Sequence, residues 1–242
     1  WVCQNIHLGK DQLWDELMEF PSIQFGVEMA FLSLQSKSLF ELFPSEFTEG
    51  KKNMLINGLV WMGEEQFMKT QIEEKLAQGF SCIKLKIGAI DFEKELGLLR
   101  FIRQNFDAKT IEIRVDANGA FNSNEALSKL NQLNEFELHS IEQPIRANQI
   151  QEMKLLCQQT PFPIALDEEL IGVFGIEKKR KLLEEIQPQY IILKPSLVGG
   201  FKGTLEWISI AESLNIGWWI TSALESNIGL NAITQFTFTL NN

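Results

Sequence analysis

Ile111-Glu112-Ile113-Arg114-Val115-Asp116-Ala117 alternates apolar and charged residues. Successive residues of a strand face opposite sides, so Ile111, Ile113 and Val115 share one face while Arg114 and Asp116 share the other. The apolar face is expected against outer helices, and the charged face against an interior. The same ending recurs along the chain. Lys86, Asp116, Glu142, Asp167 and Lys194 stand near the ends of successive strand candidates, 30, 26, 25 and 27 residues apart. Each interval is one strand plus one helix. Parity repeats too: Lys84 pairs with Lys86, Ser140 with Glu142, and Ala165 with Asp167.

Working outward, strands are expected over 54–62, 82–87, 111–117, 138–143, 164–167, 190–194 and 218–222. Helices are expected over 64–78, 92–105, 123–134, 149–160, 176–185 and 204–214, with a further one from about Ile228. Repeated strand–helix alternation predicts parallel strands with right-handed crossovers. A doubly wound sheet rarely ends every consecutive strand on a polar group, whereas a (β/α)8 barrel opens all its strand ends onto one mouth. The fold class expected is therefore α/β, a (β/α)8-type TIM barrel, with seven strands read and the eighth absent. The region up to about Phe47 reads as helical, with Ser22 as a helix cap and Phe25, Val27, Met29, Ala30 and Leu34 on a buried face.

The chain has 242 residues, 45% hydrophobic and 22% charged, the mixture of a globular protein. Its net charge of −10 argues against nucleic acid or an anionic membrane as partner. A local cationic site for an anionic substrate stays open. Cys3, Cys82 and Cys157 form no C-x-x-C pair, which suits a reducing cytoplasm. No bilayer-length apolar stretch and no signal pattern occurs. The first residue is not Met, so a processed or truncated piece is expected.

Three carboxylates, Asp116, Glu142 and Asp167, on adjacent strand ends repel one another in a low-dielectric mouth. Singly, each reads as a salt-bridged acid. As a set at matching strand ends they point to a hard cation held by oxygen, best suited by Mg²⁺. Lys84 and Lys86 share one buried face, where repulsion and burial are expected to lower a pKa toward working pH. A neutral lysine there can take a proton from carbon; an exposed edge strand is the other reading. Lys194 ends its strand in Lys-Pro-Ser and is expected across the mouth, as acid, base or fixed cation. Gly199, Gly200 and Gly203 read either as an anion seat at a helix start or as a plain turn. Ser226 and Asn227 read equally as substrate contacts or helix cap, and Ser222 leans toward substrate. His7, His139, Trp218 and Trp219 read as structural.

Lys84-Leu-Lys86, Asp116-Ala-Asn118, Glu142-Gln-Pro144, Asp167-Glu168 and Lys194-Pro-Ser196 resemble, in order and spacing, the enolase superfamily, more narrowly its muconate-cycloisomerase subgroup. Lys194-Pro-Ser-Leu-Val-Gly199 and Ser222-Ala-Leu-Glu-Ser226 are most similar to the o-succinylbenzoate synthase family of menaquinone biosynthesis. Ser22–Leu34, with Gly26, Glu28 and Ala30, resembles the last helix of that superfamily's capping domain. The resemblance implies that residues 1–50 are the C-terminal part of an α+β capping domain and residues 51–242 a barrel incomplete at its C-terminus. It implies Mg²⁺, with Mn²⁺ as substitute, on Asp116, Glu142 and Asp167. Lys86 would take the proton α to a substrate carboxylate through an enediolate, then assist loss of hydroxide. Lys194 would be the opposite cation, and Lys84 would tune Lys86. Asn118 and Glu168 would orient ligands, while Arg114 and Ser222 would touch substrate. The partner implied is a small carboxylate. Two alternatives accompany this: a racemase or epimerase of acylated amino acids or dipeptides, and a truncated, inactive barrel acting as scaffold.

Overall fold

The computed structural model describes residues 1–240. Along the chain it runs α1 (Val2–Asn5), α2 (Gly9–Glu16), α3 (Pro21–Gln35), β1 (Gly58–Val60), α4 (Glu65–Ala77), β2 (Cys82–Lys86), α5 (Phe92–Asn105), β3 (Glu112–Asp116), α6 (Ser123–Leu133), β4 (Ser140–Glu142), α7 (Ile150–Gln159), β5 (Ile164–Leu166), α8 (Ile176–Ile186), β6 (Tyr190–Leu193), α9 (Pro195–Val198), α10 (Gly200–Ser213), β7 (Gly217–Ile220) and α11 (Asn227–Phe238). From β1 to β5 the strand order in the sheet follows chain order, the outcome that repeated strand–helix units predict. Two compact units are distinguished. One comprises Trp1–Met54, Leu170–Leu183 and the chain from Ile191; the other comprises Leu55–Glu169 and Glu184–Tyr190.

In the second unit β1 to β5 pair in parallel, one after the next. The register sets Lys86 beside Asp116, Asp116 beside Glu142, and Glu142 beside Ala165. One layer below, Lys84 stands beside Arg114 and Arg114 beside Ser140. The opposite parity is dry: Ile83, Leu85, Ile113, Val115 and Ile141 are all fully buried. That is the alternation read from 111–117. Asp91 and Asn122 start α5 and α6, their side chains accepting the N–H of Glu93 and Asn124 at 3.1 Å each.

The first unit packs Phe25 of α3 against Phe201 of α10 and Phe236 of α11. The Phe201 ring lies 5.2 Å from Phe25, 5.0 Å from Phe43 and 4.7 Å from Phe236. Helix does not extend to Phe47 as expected; it ends at Gln35. Pro44 disfavours helix before it. The backbone amides of Leu42 and Phe43 go instead to the Gln235 Oε1, at 2.8 and 3.1 Å. Ser22 is not the cap of α3. Phe20 holds that position with Pro21 as the first helical residue, and the Ser22 hydroxyl donates to the Ser196 carbonyl at 2.7 Å.

α10 begins at Gly200, four residues before the expected start, because Glu28 caps it. The Glu28 carboxylate accepts the N–H of Phe201 at 2.6 Å and of Lys202 at 3.1 Å. The anion seat suggested by the glycines is thus filled by the protein's own carboxylate. Gly200 has φ +70°, and a β-carbon there would come 1.9 Å from Glu28 Oε2. Gly200→Ala is expected to cost about 2 kcal/mol through the left-handed backbone and the displaced cap, read as a lower urea midpoint.

Candidate active site

The strand ends of the second unit bring the two lysines onto the carboxylates. Lys86 Nζ donates to Asp116 Oδ2 at 2.5 Å and to Asn118 Oδ1 at 2.7 Å. Lys84 Nζ lies 3.1 Å from the same Asp116 oxygen and pairs closely with Glu142 Oε2. The acids are dry, with Asp116 0%, Glu142 2% and Asp167 2% exposed, so none is a solvated surface charge.

Burial pushes the Glu142 carboxyl well above the ordinary range. Lys84 works against this, while repulsion from Asp116 and Asp167 adds to it. Burial also opposes ionisation of Asp116, yet Lys84 and Lys86 together hold it below the usual value. For Lys84 the expectation of a lowered pKa is corrected. Burial does press it down, but attraction to Glu142 and Asp116 wins and raises it. The neighbouring carboxylates, absent from a reading of Lys-Leu-Lys in isolation, decide the sign.

Outside this pair of rows, Asn118 gathers the loop ends. It accepts from Lys86, its N–H donates to Asp116 Oδ1 at 3.0 Å, and its amide donates to Glu168 Oε1 at 2.8 Å. Gln143, fully buried with φ +38°, was given no role in the sequence. Its Oε1 accepts the N–H of Asp167 at 3.1 Å and of Glu169 at 3.3 Å, so it sets the β5 end that carries Asp167. Its Nε2 donates to Ile145 O at 3.0 Å and Glu169 Oε2 at 3.2 Å. The only signal for this was its place beside Glu142. Arg114 Nε pairs with Glu112 Oε1 at 2.6 Å, one layer further down the same face.

Among the described residues no three acidic, His or Cys side chains form a ready metal cage. The Lys84 ammonium stands against both Asp116 and Glu142 instead. The donor chemistry nevertheless suits a hard divalent cation: three buried carboxylates, two of which drive up the pKa of the third.

Lys194 and Ser222 lie in the first unit, and both are half-buried. Lys194 caps α9, its carbonyl accepting the N–H of Leu197 at 2.7 Å. β6 and β7 are joined where Thr221 N–H donates to the Leu193 carbonyl at 3.0 Å. Beyond them the Ser196 hydroxyl donates to Glu225, whose other oxygen accepts the Ala223 N–H at 2.7 Å. Glu225, another residue the sequence reading passed over, therefore ties the Lys194 segment to the Ser222 segment. Ser226 does occupy the N-cap position of α11, but its side chain makes no cap bond. His139 sits one residue before β4, its Nδ1 3.0 Å from Ser140 Oγ. Cys82 and Cys157 are pushed up to about 12 by burial, far from a reactive thiolate.

A family described as Enolase C-terminal domain-like matches residues 68–242. The chain belongs to the enolase superfamily. Among superfamily members, it is 57% identical over 218 residues to the o-succinylbenzoate synthase of Desulfotalea psychrophila, covering 90% of this chain and 59% of that protein. It is 31% identical over 213 residues to the N-succinylamino acid racemase of Thermus thermophilus, covering 86% and 54%. The crystal structure of MenC from Desulfotalea psychrophila superposes with a TM-score of 0.85 at 55% identity, covering 91% and 61%. The chain thus spans roughly three fifths of the length of these relatives. No helix among the described residues is long and apolar enough to cross a membrane.

Proposed function

We propose that this chain carries the catalytic core of an o-succinylbenzoate synthase, a carbon–oxygen lyase. The observation that carries this reading is the 57% identity to a synthase, together with the strand-end set in which Lys86 meets Asp116 and Asn118. The reaction is the dehydration of 2-succinyl-6-hydroxy-2,4-cyclohexadiene-1-carboxylate in menaquinone biosynthesis. Residues 51–242 are proposed as most of a (β/α)8 barrel and residues 1–50 as the tail of a capping domain. The setting proposed is the cytoplasm.

Lys86 takes the proton α to the substrate carboxylate, leaving an enediolate. The same proton then accompanies the β-hydroxyl as it departs as water, and the ring becomes aromatic. Asp116, Glu142 and Asp167 would hold Mg²⁺, or Mn²⁺ in its place, which supplies positive charge beside the carboxylate. Lys84 supplies a fixed positive charge to Asp116 and Glu142 and tunes Lys86. Asn118 holds Lys86 by its side-chain oxygen and Glu168 by its amide. Lys194 is assigned the opposing cation, and Arg114 and Ser222 substrate contacts, on the resemblance alone.

Mg²⁺ is expected to raise the thermal midpoint of the protein, by about 2.7 kcal/mol of stability at a hundredfold excess over Kd, and EDTA to reverse the rise. Asp116→Asn and Glu142→Gln should each abolish that response. Turnover of the cyclohexadiene substrate, followed by ultraviolet absorbance with and without Mg²⁺, tests the assignment.

The likeness to a racemase favours one second reading. There Lys86 and Lys194 would each serve one face of an α-carbon in an N-acylated amino acid. Exchange of that α-proton with solvent deuterium separates the two. Metal-dependent turnover of either kind excludes an inactive scaffold.

A further inference from the structure

The turn after Lys86 is held by a buried acid to which the proposed reaction gives no role. β2 ends at Lys86, and Ile87 donates its N–H to the Asp116 carbonyl at 2.8 Å. The chain turns at Gly88, with φ +90°. There Glu95 Oε1 accepts the Gly88 N–H at 2.6 Å and the Ile90 N–H at 3.5 Å. Glu95 stands in the first turn of α5 and is 1% exposed, while its Oε2 is buried without a hydrogen-bond partner. Burying half a carboxylate unpartnered is costly, so an aliphatic residue would serve a purely packing role better.

The same turn is pressed onto the loop that carries Asn118. A β-carbon at Gly88 would come 2.4 Å from the Ala120 β-carbon. Gly88 is two residues beyond Lys86, and Ala120 two beyond Asn118. Across that contact Lys86 Nζ donates to Asn118 Oδ1 at 2.7 Å. A clamp on Gly88 therefore governs how far the amine stands from the amide that aims it.

We propose that Glu95 is a positioning residue for Lys86, fixing the Gly88 turn so that the amine keeps its register against Asn118. This rests on the reading of Lys86 as the proton-transfer group. Misplacing a reacting group by about 1 Å can cost about a hundredfold in rate. Glu95→Leu is expected to lower kcat by roughly ten- to a hundredfold, with KM within about twofold. Glu95→Gln, which keeps an oxygen for the Gly88 amide, should recover most of the rate. If the leucine variant does not fold, Glu95→Asp, whose shorter side chain draws the Gly88 turn away from its place, is the readout, with the same lowered kcat at a near-parent KM. A folded leucine or aspartate variant that melts earlier while kcat stays at the parent's value would overturn the proposal and leave Glu95 as a structural acid. Loss of the proton-transfer reading is distinguishable: Lys86→Ala would then turn over like the parent, and the positioning role would fall with it.

Discussion

Lys86→Ala lowers kcat by about 10³-fold or more, near the upper range for loss of a general acid–base group, while far-ultraviolet circular dichroism stays that of the parent. The expectation rests on where the amine sits. Lys86 ends β2, bonded to Asp116 and to Asn118, and no other lysine in the second unit reaches Asn118 among the hydrogen bonds of the described residues. Lys84 stands one layer lower and points its charge at Glu142 and Asp116. It cannot substitute without breaking both pairs. A loss of less than about tenfold would mean that proton transfer belongs to another group.

Lys84→Met destabilises the metal-free protein by about 3–5 kcal/mol, a large share of the stability of an ordinary domain. The Lys84 side chain is 12% exposed between carboxylates that are 0% and 3% exposed, so its removal leaves buried anions facing each other. The pH dependence has a definite sign. Lys84 lowers the pKa of both Asp116 and Glu142, so without it both rise. The native state then binds more protons than the unfolded chain above the ordinary carboxylate range, and stability falls as pH rises through that window. The deficit should be largest at neutral pH and shrink toward about pH 4, where the unfolded carboxyls titrate as well. Mg²⁺ should restore part of it by replacing the missing charge. An unfolding free energy within about 1 kcal/mol of the parent at pH 7, by linear extrapolation of urea unfolding, would contradict the account.

The strands were legible because alternation is a strong local signal. Ile113 and Val115 are buried on one parity while Asp116 lines the other, as 111–117 implied. The helix expected over 92–105 is found with those bounds, and its start is fixed by the Asp91 side chain, which caps it. Lys84, Lys86, Asp116, Asn118, Glu142 and Glu168 do come together, because strand-end spacing is a fold-level regularity. What stayed hidden were groups whose partners are distant in sequence. Glu28 and Glu95 look like solvated acids on helical patterns, yet Glu28 is buried against the first amides of α10 and Glu95 against the amide of the Gly88 turn. Gln143 takes its role from a left-handed backbone that no local pattern announces. The fate of 36–50 depended on Gln235, nearly two hundred residues away. The sign of the Lys84 shift likewise needed both acids in place.

The most direct test is turnover of 2-succinyl-6-hydroxy-2,4-cyclohexadiene-1-carboxylate by the protein, with Mg²⁺ and after its removal by EDTA. The account predicts metal-dependent conversion to the aromatic 2-succinylbenzoate, seen as a change in ultraviolet absorbance and lost in Lys86→Ala. A folded protein that binds Mg²⁺ yet leaves this substrate untouched, while exchanging the α-proton of N-succinylated amino acids, would contradict the synthase assignment and make the racemase reading the correct one.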